Sequence, residues 1–273
     1  IRFRPFNSLK LTDVYVGDLK SDSLLYVKDL SATFSLWPLI KSSTLQLNSV
    51  EINDFAARLY ADSTGAPLNY QFLIDAFSSD TADTTTSSGT FVLNLDNITL
   101  TNGRLSYDIL SEAPVENGFD FNHIAIDSLQ LDTDFSFTSV EDFVVKLRNL
   151  SLNESSGFNV REMTADVTAE NKRMQLTDFL LRLTESEIRI DDAYVDYSTT
   201  TFDSIATRST LSLPISKLVL YPSDLEMFYP PLNRLSASMI VGGAVQGSLP
   251  AVNLHDFYVL YVRALSLDAH AYT

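Results

Sequence analysis

One eight-residue pattern recurs from end to end of this chain and restricts it to β architecture: apolar, any, apolar, any, small polar, apolar, any, apolar. It spans Leu9–Val16, Leu25–Ala32, Leu45–Ile52, Leu93–Leu100, Ile124–Leu131, Val145–Leu152, Phe158–Ala165, Met174–Leu181, Ile188–Val195, Leu213–Leu220 and Val252–Val259. The spacing between copies is irregular, so this is a repeated type of strand and not a fixed-period solenoid. Alternation at i and i+2 places side chains on one face of a strand. Within each octet the alternation breaks once: Leu93 and Leu95 are in phase, while Ile98 and Leu100 have the other parity.

Two arrangements satisfy that break. A bulge at the fifth position absorbs one residue and keeps all four apolar groups on one face. Alternatively, the strand passes between two environments and buries its halves on opposite sides. The fifth position holds Asp13, Asp29, Ser49, Asn97, Ser128, Asn149, Asp178, Asp192 and Asp256, with Glu162 and Lys217 as exceptions. Asp, Asn and Ser tolerate the irregular backbone that a bulge requires, which favours the first arrangement. Repeated bulges bend and coil a sheet. The expected fold is mostly β: a long, curled antiparallel sheet, groove-like, with one apolar face and one or two short capping helices. The same polar residues also serve as turn punctuation in an ordinary sandwich, which stays as the alternative.

The chain reads as one elongated β-rich segment over residues 1–273. Ser35–Ile40 breaks the pattern as a short helical or looped crossover. Pro67, Leu68, Tyr70, Phe72, Leu73, Ile74, Ala76 and Phe77 cluster at helical spacing and predict a helix over 67–78. Residues 78–90 are a low-complexity Ser/Thr/Asp loop, expected to be mobile. Asn102-Gly103 is the strongest hairpin signal and predicts pairing of Ile98–Thr101 with Arg104–Ile109. Ser223 as N-cap, followed by Leu225, Met227, Phe228 and Leu232, predicts a short helix over 223–233, bent or stopped by Pro230-Pro231. Strand character continues from Ala264 to Tyr272, and the chain opens at Ile1 without Met, so a piece of a longer protein is expected.

Chemistry is sparse. With 19 Lys and Arg against 35 Asp and Glu the net charge is −16, which argues against nucleic acid and against charge-driven docking on an anionic bilayer. The absence of cysteine removes disulfides, thiolate zinc sites and thiol catalysis. The three histidines, His123, His255 and His270, have no metal-ligand spacing, and His123 and His255 read as exposed strand residues. Asp191-Asp192 would point to opposite faces of a regular strand and share neither a proton nor a metal. Gly242-Gly243 and Gly247 are not followed by a phosphate-loop Lys, and Gly247-Ser248-Leu249-Pro250 is not a nucleophile elbow. Asn97, Asn149 and Asn153 open glycosylation sequons, a weak signal. No catalytic residue, cofactor or metal is expected, and the chain is read as non-enzymatic.

Several phrases are similar to the AsmA-like/TamB family of bacterial envelope proteins. They are Leu9-Lys-Leu-Thr-Asp-Val-Tyr-Val-Gly-Asp-Leu, Asp22-Ser-Leu-Leu-Tyr-Val, Leu45-Gln-Leu-Asn-Ser-Val-Glu-Ile, Phe91 through Tyr107, and Leu235 through Pro250 continuing into Val252-Asn-Leu-His-Asp-Phe. The resemblance spans essentially the whole chain and rests on degenerate apolar patterns. It implies a periplasmic β-taco whose parent is anchored in the inner membrane by an N-terminal helix. It also implies phospholipid acyl chains as cargo moved toward the outer membrane, and an outer-membrane β-barrel assembly partner for the parent. These residues show no sign of the family's partner-binding C-terminal domain. The lipid-groove candidates are the octet apolar residues Leu93, Leu95, Ile98, Leu100, Ile124, Ile126, Leu129, Leu131, Val145, Leu147, Leu150 and Leu152. Two other readings remain: a structural or adhesive β-sandwich or β-helix module of a surface protein, and a carbohydrate-active β-helix using carboxylates such as Asp191.

Overall fold

A computed structural model describes residues 2–4, 7–35, 45–78, 93–139, 141–200, 204–248 and 251–262. The strands are β1 (Arg2–Arg4), β2 (Ser8–Gly17), β3 (Ser23–Ser35), β4 (Leu45–Ala61), β5 (Leu93–Leu95), β6 (Asn97–Ile109), β7 (His123–Ser139) and β8 (Asp142–Glu154). They continue as β9 (Asn159–Glu170), β10 (Arg173–Arg182), β11 (Glu187–Asp196), β12 (Thr210–Leu220), β13 (Ser238–Ser248) and β14 (Ala251–Val262). All belong to one 14-stranded sheet, in which neighbours in sequence are neighbours in space apart from β5, which sits beside β4. The sheet is curled and not closed, with β1 and β14 at its two edges.

The sheet is not antiparallel throughout. β4 pairs with β5 and β6 in parallel, in one uninterrupted register from Leu45 opposite Leu93 to Ala61 opposite Ile109. A parallel neighbour cannot be reached by a tight turn. The connection from Asp62 to Val92 makes the crossover, and it contains α1 (Gln71–Ser78), the C-terminal part of the helix expected over 67–78. Every other joint in the sheet is antiparallel.

In four of the eleven octets the break falls on a left-handed residue. Asp13, Ser128, Asp178 and Asp256 carry φ of 52°, 54°, 52° and 47°, in the left-handed region inside otherwise extended strands. A left-handed residue turns the strand by one position, so the apolar pair after it returns to the face of the pair before it. β2 shows the result directly: Leu9, Leu11, Val14 and Val16 are half-buried, and Lys10, Thr12, Asp13 and Tyr15 are exposed. Asp54 and Asn102 carry the same left-handed φ of 52°, which adds the octets Val50–Ala57 and Ile98–Leu105, while the β3–β4 register shifts between Thr33 and Phe34, inside Leu45–Ile52. Asp29, Ser49, Asn97, Asn149 and Asp192 do not have positive φ.

The Asn102-Gly103 signal is corrected. Asn97–Ile109 runs as one strand straight through it. Asn102 takes the left-handed conformation, as it would in a hairpin, but Gly103 is needed for a tertiary reason: a Cβ there would lie 2.2 Å from the Phe55 ring of β4. The expected helix over 223–233 is two 3-10 turns, Pro222–Asp224 and Pro230–Arg234, because Pro230 and Pro231 remove the donors a continuous helix needs. A four-residue helix, α2 (Ile205–Arg208), lies in the connection before β12, where no helix was expected. The loop expected over 78–90, the crossover at 35–40 and the strand at 264–272 lie outside the described residues, apart from Ser35, which ends β3, and Ser78, which closes α1.

Candidate functional site

The pairing register lines the octet apolar residues up in rows across the sheet. Leu9, Leu11, Val14 and Val16 of β2 oppose Ala32, Leu30, Val27 and Leu25 of β3. Those in turn oppose Val50, Ile52, Phe55 and Ala57 of β4. The rows pass through the parallel joint to Ile98, Leu100, Gly103 and Leu105. They continue to the last strand, where Val245 opposes Leu254 and Val241 opposes Val259. Between β2 and β3 and between β10 and β11 the match is built into the pattern: the first octet position faces the eighth and the third faces the sixth.

All twelve sequence candidates lie in these rows. Leu93 and Leu95 oppose Leu45 and Leu47. Leu100 opposes Leu131, Gly103 opposes Leu129, Leu105 opposes Ile126, Tyr107 opposes Ile124, and Ile98 opposes Thr133. Leu131 opposes Leu150, Thr133 opposes Leu147, and Phe135 opposes Val145. Leu152 opposes Val160. Ile98, Leu100, Ile124, Ile126, Leu129, Leu131, Val145, Leu147, Leu150 and Leu152 are all half-buried and none is fully buried. The face is closed more tightly where small residues or a ring fill it, at Val27, Phe55, Ala165, Ala169 and Ala193. Sequence reasoning placed the candidate face on β5 to β8, whereas the rows extend from β2 to β14.

The other face is polar and knitted by cross-strand charges. Arg148 holds Asp132 at 2.6 Å and also pairs with Asp134. Arg182 meets Glu162 at 2.5 Å and Glu187 at 3.3 Å, and Lys217 reaches Glu187 at 3.0 Å. Arg148 holds both of its aspartates below the usual carboxylate range, and Lys217 does the same for Glu187. Such exposed pairs contribute little stability each; their effect is to keep this face in water. The crease has its own ladder: Tyr26 donates to Asp13 at 2.8 Å, Lys28 reaches Asp54 at 3.0 Å, and the Asn102 amide donates to Asp54.

Among the described residues no group of three or more His, Asp or Glu is placed to hold a metal ion. Asp191 and Asp192 are both exposed, the second accepting a hydrogen bond from Gln175 at 2.9 Å. His123 is not the exposed strand residue that the sequence suggested. It is half-buried at the start of β7, with Nδ1 3.3 Å from Asp108 and Nε2 3.1 Å from the Glu112 carbonyl. The hydrogen bond to Asp108 raises its pKa.

One end of the sheet carries features the sequence did not disclose. The connections after β2, β6 and β12 expose Leu19 (80%), Phe121 (68%) and Tyr229 (61%). Phe119, Phe158 and Phe228 cluster beside Phe121, with ring centroids 4.8 Å apart for Phe119 and Phe228, 5.2 Å for Phe158 and Phe228 and 4.7 Å for Phe119 and Phe121. Two buried carboxylates tie down turns at this end. Asp224 accepts from the Ser186 and Glu185 amides at 2.6 and 2.9 Å. Glu154 accepts from the Ser156 amide at 2.8 Å and the Ser155 hydroxyl at 2.9 Å. Burial pushes Glu154 up, and these donors outweigh it, leaving it below the usual range.

At the same end Asp18 closes the β2–β3 turn. It accepts the Tyr60 hydroxyl at 2.5 Å and the Lys20 and Asp22 amides at 2.9 Å, beside a cavity of about 300 Å³ shared with Phe72 of α1. The Tyr60 bond holds Asp18 below the usual carboxylate range, and Tyr60 is itself pushed up to about 12. A lowered carboxyl pKa stabilises the fold above its unfolded value and loses that contribution as pH falls through the folded one. A raised phenol pKa contributes below about pH 10 and loses it as pH rises through about 12. Tyr60→Phe is therefore expected to lower the unfolding temperature at neutral pH, with the deficit shrinking once Asp18 protonates. An equal deficit in thermal unfolding at both pH values would rule the hydrogen bond out as the cause.

Compared with protein families, with curated proteins and with solved structures, the chain matches none.

Proposed function

We propose that the apolar face is a binding surface for phospholipid acyl chains, and that the protein is a non-enzymatic lipid-conduit segment of the AsmA-like/TamB kind. The observation that carries this reading is the set of half-buried apolar rows running from β2 to β14 on one face of a single sheet. In a sandwich the same leucines would be sealed under a second sheet. In this chain all the described strands lie in one sheet, and the ten candidate side chains described keep part of their surface. Apolar surface gains about 25 cal/mol per Å² on leaving water, so a long trough of this kind favours extended alkyl chains. The rows offer no charged group set to clamp one headgroup, which supports low selectivity among lipids. The resemblance in strand grammar adds the periplasm as location, the inner membrane as anchorage of the parent, and an outer-membrane β-barrel protein as its partner.

The test is lipid analysis of protein purified from native membranes by mass spectrometry. Stoichiometric diacyl phospholipid is the expected result. Protein that carries none, and takes up no labelled phospholipid after delipidation, would remove the conduit reading in favour of a structural module.

A further inference from the structure

One region of the polar face contains no Lys, Arg, Asp or Glu. Elsewhere on that face Arg148, Arg182 and Lys217 bridge neighbouring strands to carboxylates. Across β12, β13 and β14 the register forms three rows without such a group. Thr210 opposes Ser248, which opposes Ala251. Ser212 opposes Gln246, which opposes Asn253, and Pro214 opposes Ala244, which opposes His255. The middle row runs on through Tyr194 of β11, Gln175 of β10 and Thr168 of β9, so six adjacent strands each contribute one neutral hydrogen-bonding side chain to it. Asp196, opposite Thr210, and Asp256, next to His255, stand at the border of the region.

Tyr194, Thr210, Ser212, Gln246, Asn253 and His255 line a shallow depression of about 320 Å³. Thr210, Gln246, Asn253 and His255 are exposed. Little of their hydrogen-bonding capacity is used within the protein. Gln246 Nε2 donates to Ser212 Oγ at 3.5 Å. Among the described residues the side chains of Thr210, Asn253 and His255 and the hydroxyl of Tyr194 have no hydrogen-bond partner. The Arg173 guanidinium lies 3.8 Å from the centroid of the Tyr194 ring and holds it in place.

These groups select by charge. The depression has no cation to neutralise a phosphate or carboxylate, and the bordering Asp196 and Asp256 repel an anion. A sheet face has no free backbone groups, so it cannot read a peptide by strand addition. What remains is a set of hydroxyls, planar amides and an imidazole, groups that both donate and accept, beside an aromatic ring. Neutral polar groups also give up their water at less cost than ions. We infer that this depression is a binding site for a neutral oligosaccharide laid across the strands along the middle row. Gln246 and Asn253 read its hydroxyls, and Tyr194 packs against its C–H face. The site lies on the face opposite the apolar rows, so it stands or falls independently of acyl-chain binding.

The test is titration of the isotope-labelled full chain with cellotetraose and, separately, with tetra-N-acetylchitotetraose, followed by backbone amide shifts in NMR. Saturable shifts confined to amides around the depression are expected with at least one of them at millimolar ligand, and the tighter of the two shows whether an N-acetyl group is read. Tyr194→Ala should weaken binding about tenfold. Ser212→Arg sets a cation at the centre of the middle row and should abolish binding with the far-ultraviolet spectrum intact. Asn253→Ala, at an exposed position, should weaken binding several-fold and serves if either of the others fails to fold. No saturable shift with either sugar overturns the proposal, as do shifts that Ser212→Arg and Asn253→Ala leave unchanged. Equal shifts of the same amides with inorganic phosphate overturn it as well, because the region would then not select a neutral ligand.

Discussion

Arginine at position 145 is expected to lower phospholipid loading on the order of 100-fold, while arginine at position 144 leaves it unchanged. The two valines are neighbours in β8 and differ in face alone. Val145 opposes Phe135 and Val167 in the apolar rows, and Val144 opposes Ser136 and Thr168 on the polar side, where it is 47% exposed. Arginine held at the centre of a hydrocarbon environment costs about 2.5–3.5 kcal/mol on insertion scales, which at about 1.4 kcal/mol per decade gives the expected factor. The polar face already accommodates Lys146 and Arg148 on the same strand, so a further cation there meets water and carboxylates. Labelled-phospholipid uptake by the two purified variants, each checked by its thermal unfolding, reads the difference. Equal loading of both would mean that acyl chains do not lie on this face.

The fold was legible to the extent that it rests on strand parity. The phase break at Asp13, Ser128, Asp178 and Asp256 pointed to bulges, and those residues are left-handed. The ten described candidates from Ile98 to Leu152 are all half-buried, and most pair with another apolar residue across the strand. What failed were features set by residues distant in sequence. A left-handed Asn before Gly is the same local signal in a hairpin and in a bulge, and only the Phe55 ring lying against Gly103 separates the two. In β4 two overlapping octets compete, slotted at Ser49 and at Asp54, and only Asp54 is left-handed, which pairing with β6 and the hydrogen bond from Asn102 accompany. The parallel joint depends on a crossover whose helix was recognised but read as a cap. The aromatic end of the sheet was hidden for a different reason. Phe119, Phe158 and Phe228 lie far apart in sequence and meet because Phe119 donates its backbone N–H to the Met227 carbonyl at 3.0 Å, a contact no periodicity encodes.

The crease supplies the second large effect, on stability. Phe55 is 9% exposed, and its ring occupies the volume a side chain at position 103 would need, with ring atoms 2.2 and 2.3 Å from an added Cβ. Gly103→Ala cannot be absorbed by a small shift, because the obstruction is a rigid ring fixed between β3 and β6, where Phe55 opposes Val27 and Gly103. Overpacking of this kind costs about 1–3 kcal/mol. Phe55→Ala removes the ring and leaves a void, at about 3–5 kcal/mol. The two changes relieve each other: with the ring gone the new methyl has room and fills part of the void. The double variant is therefore expected to be more stable than the sum of the single losses predicts, by about 1–3 kcal/mol, as contacting residues allow. Denaturant unfolding of the four proteins measures that coupling. Strict additivity would mean that the ring does not lie over Gly103, and that the glycine in the middle of β6 answers to some other constraint. A positive coupling would place Phe55 in the apolar row that crosses the parallel joint at Gly103, where the face passes between strands that run the same way.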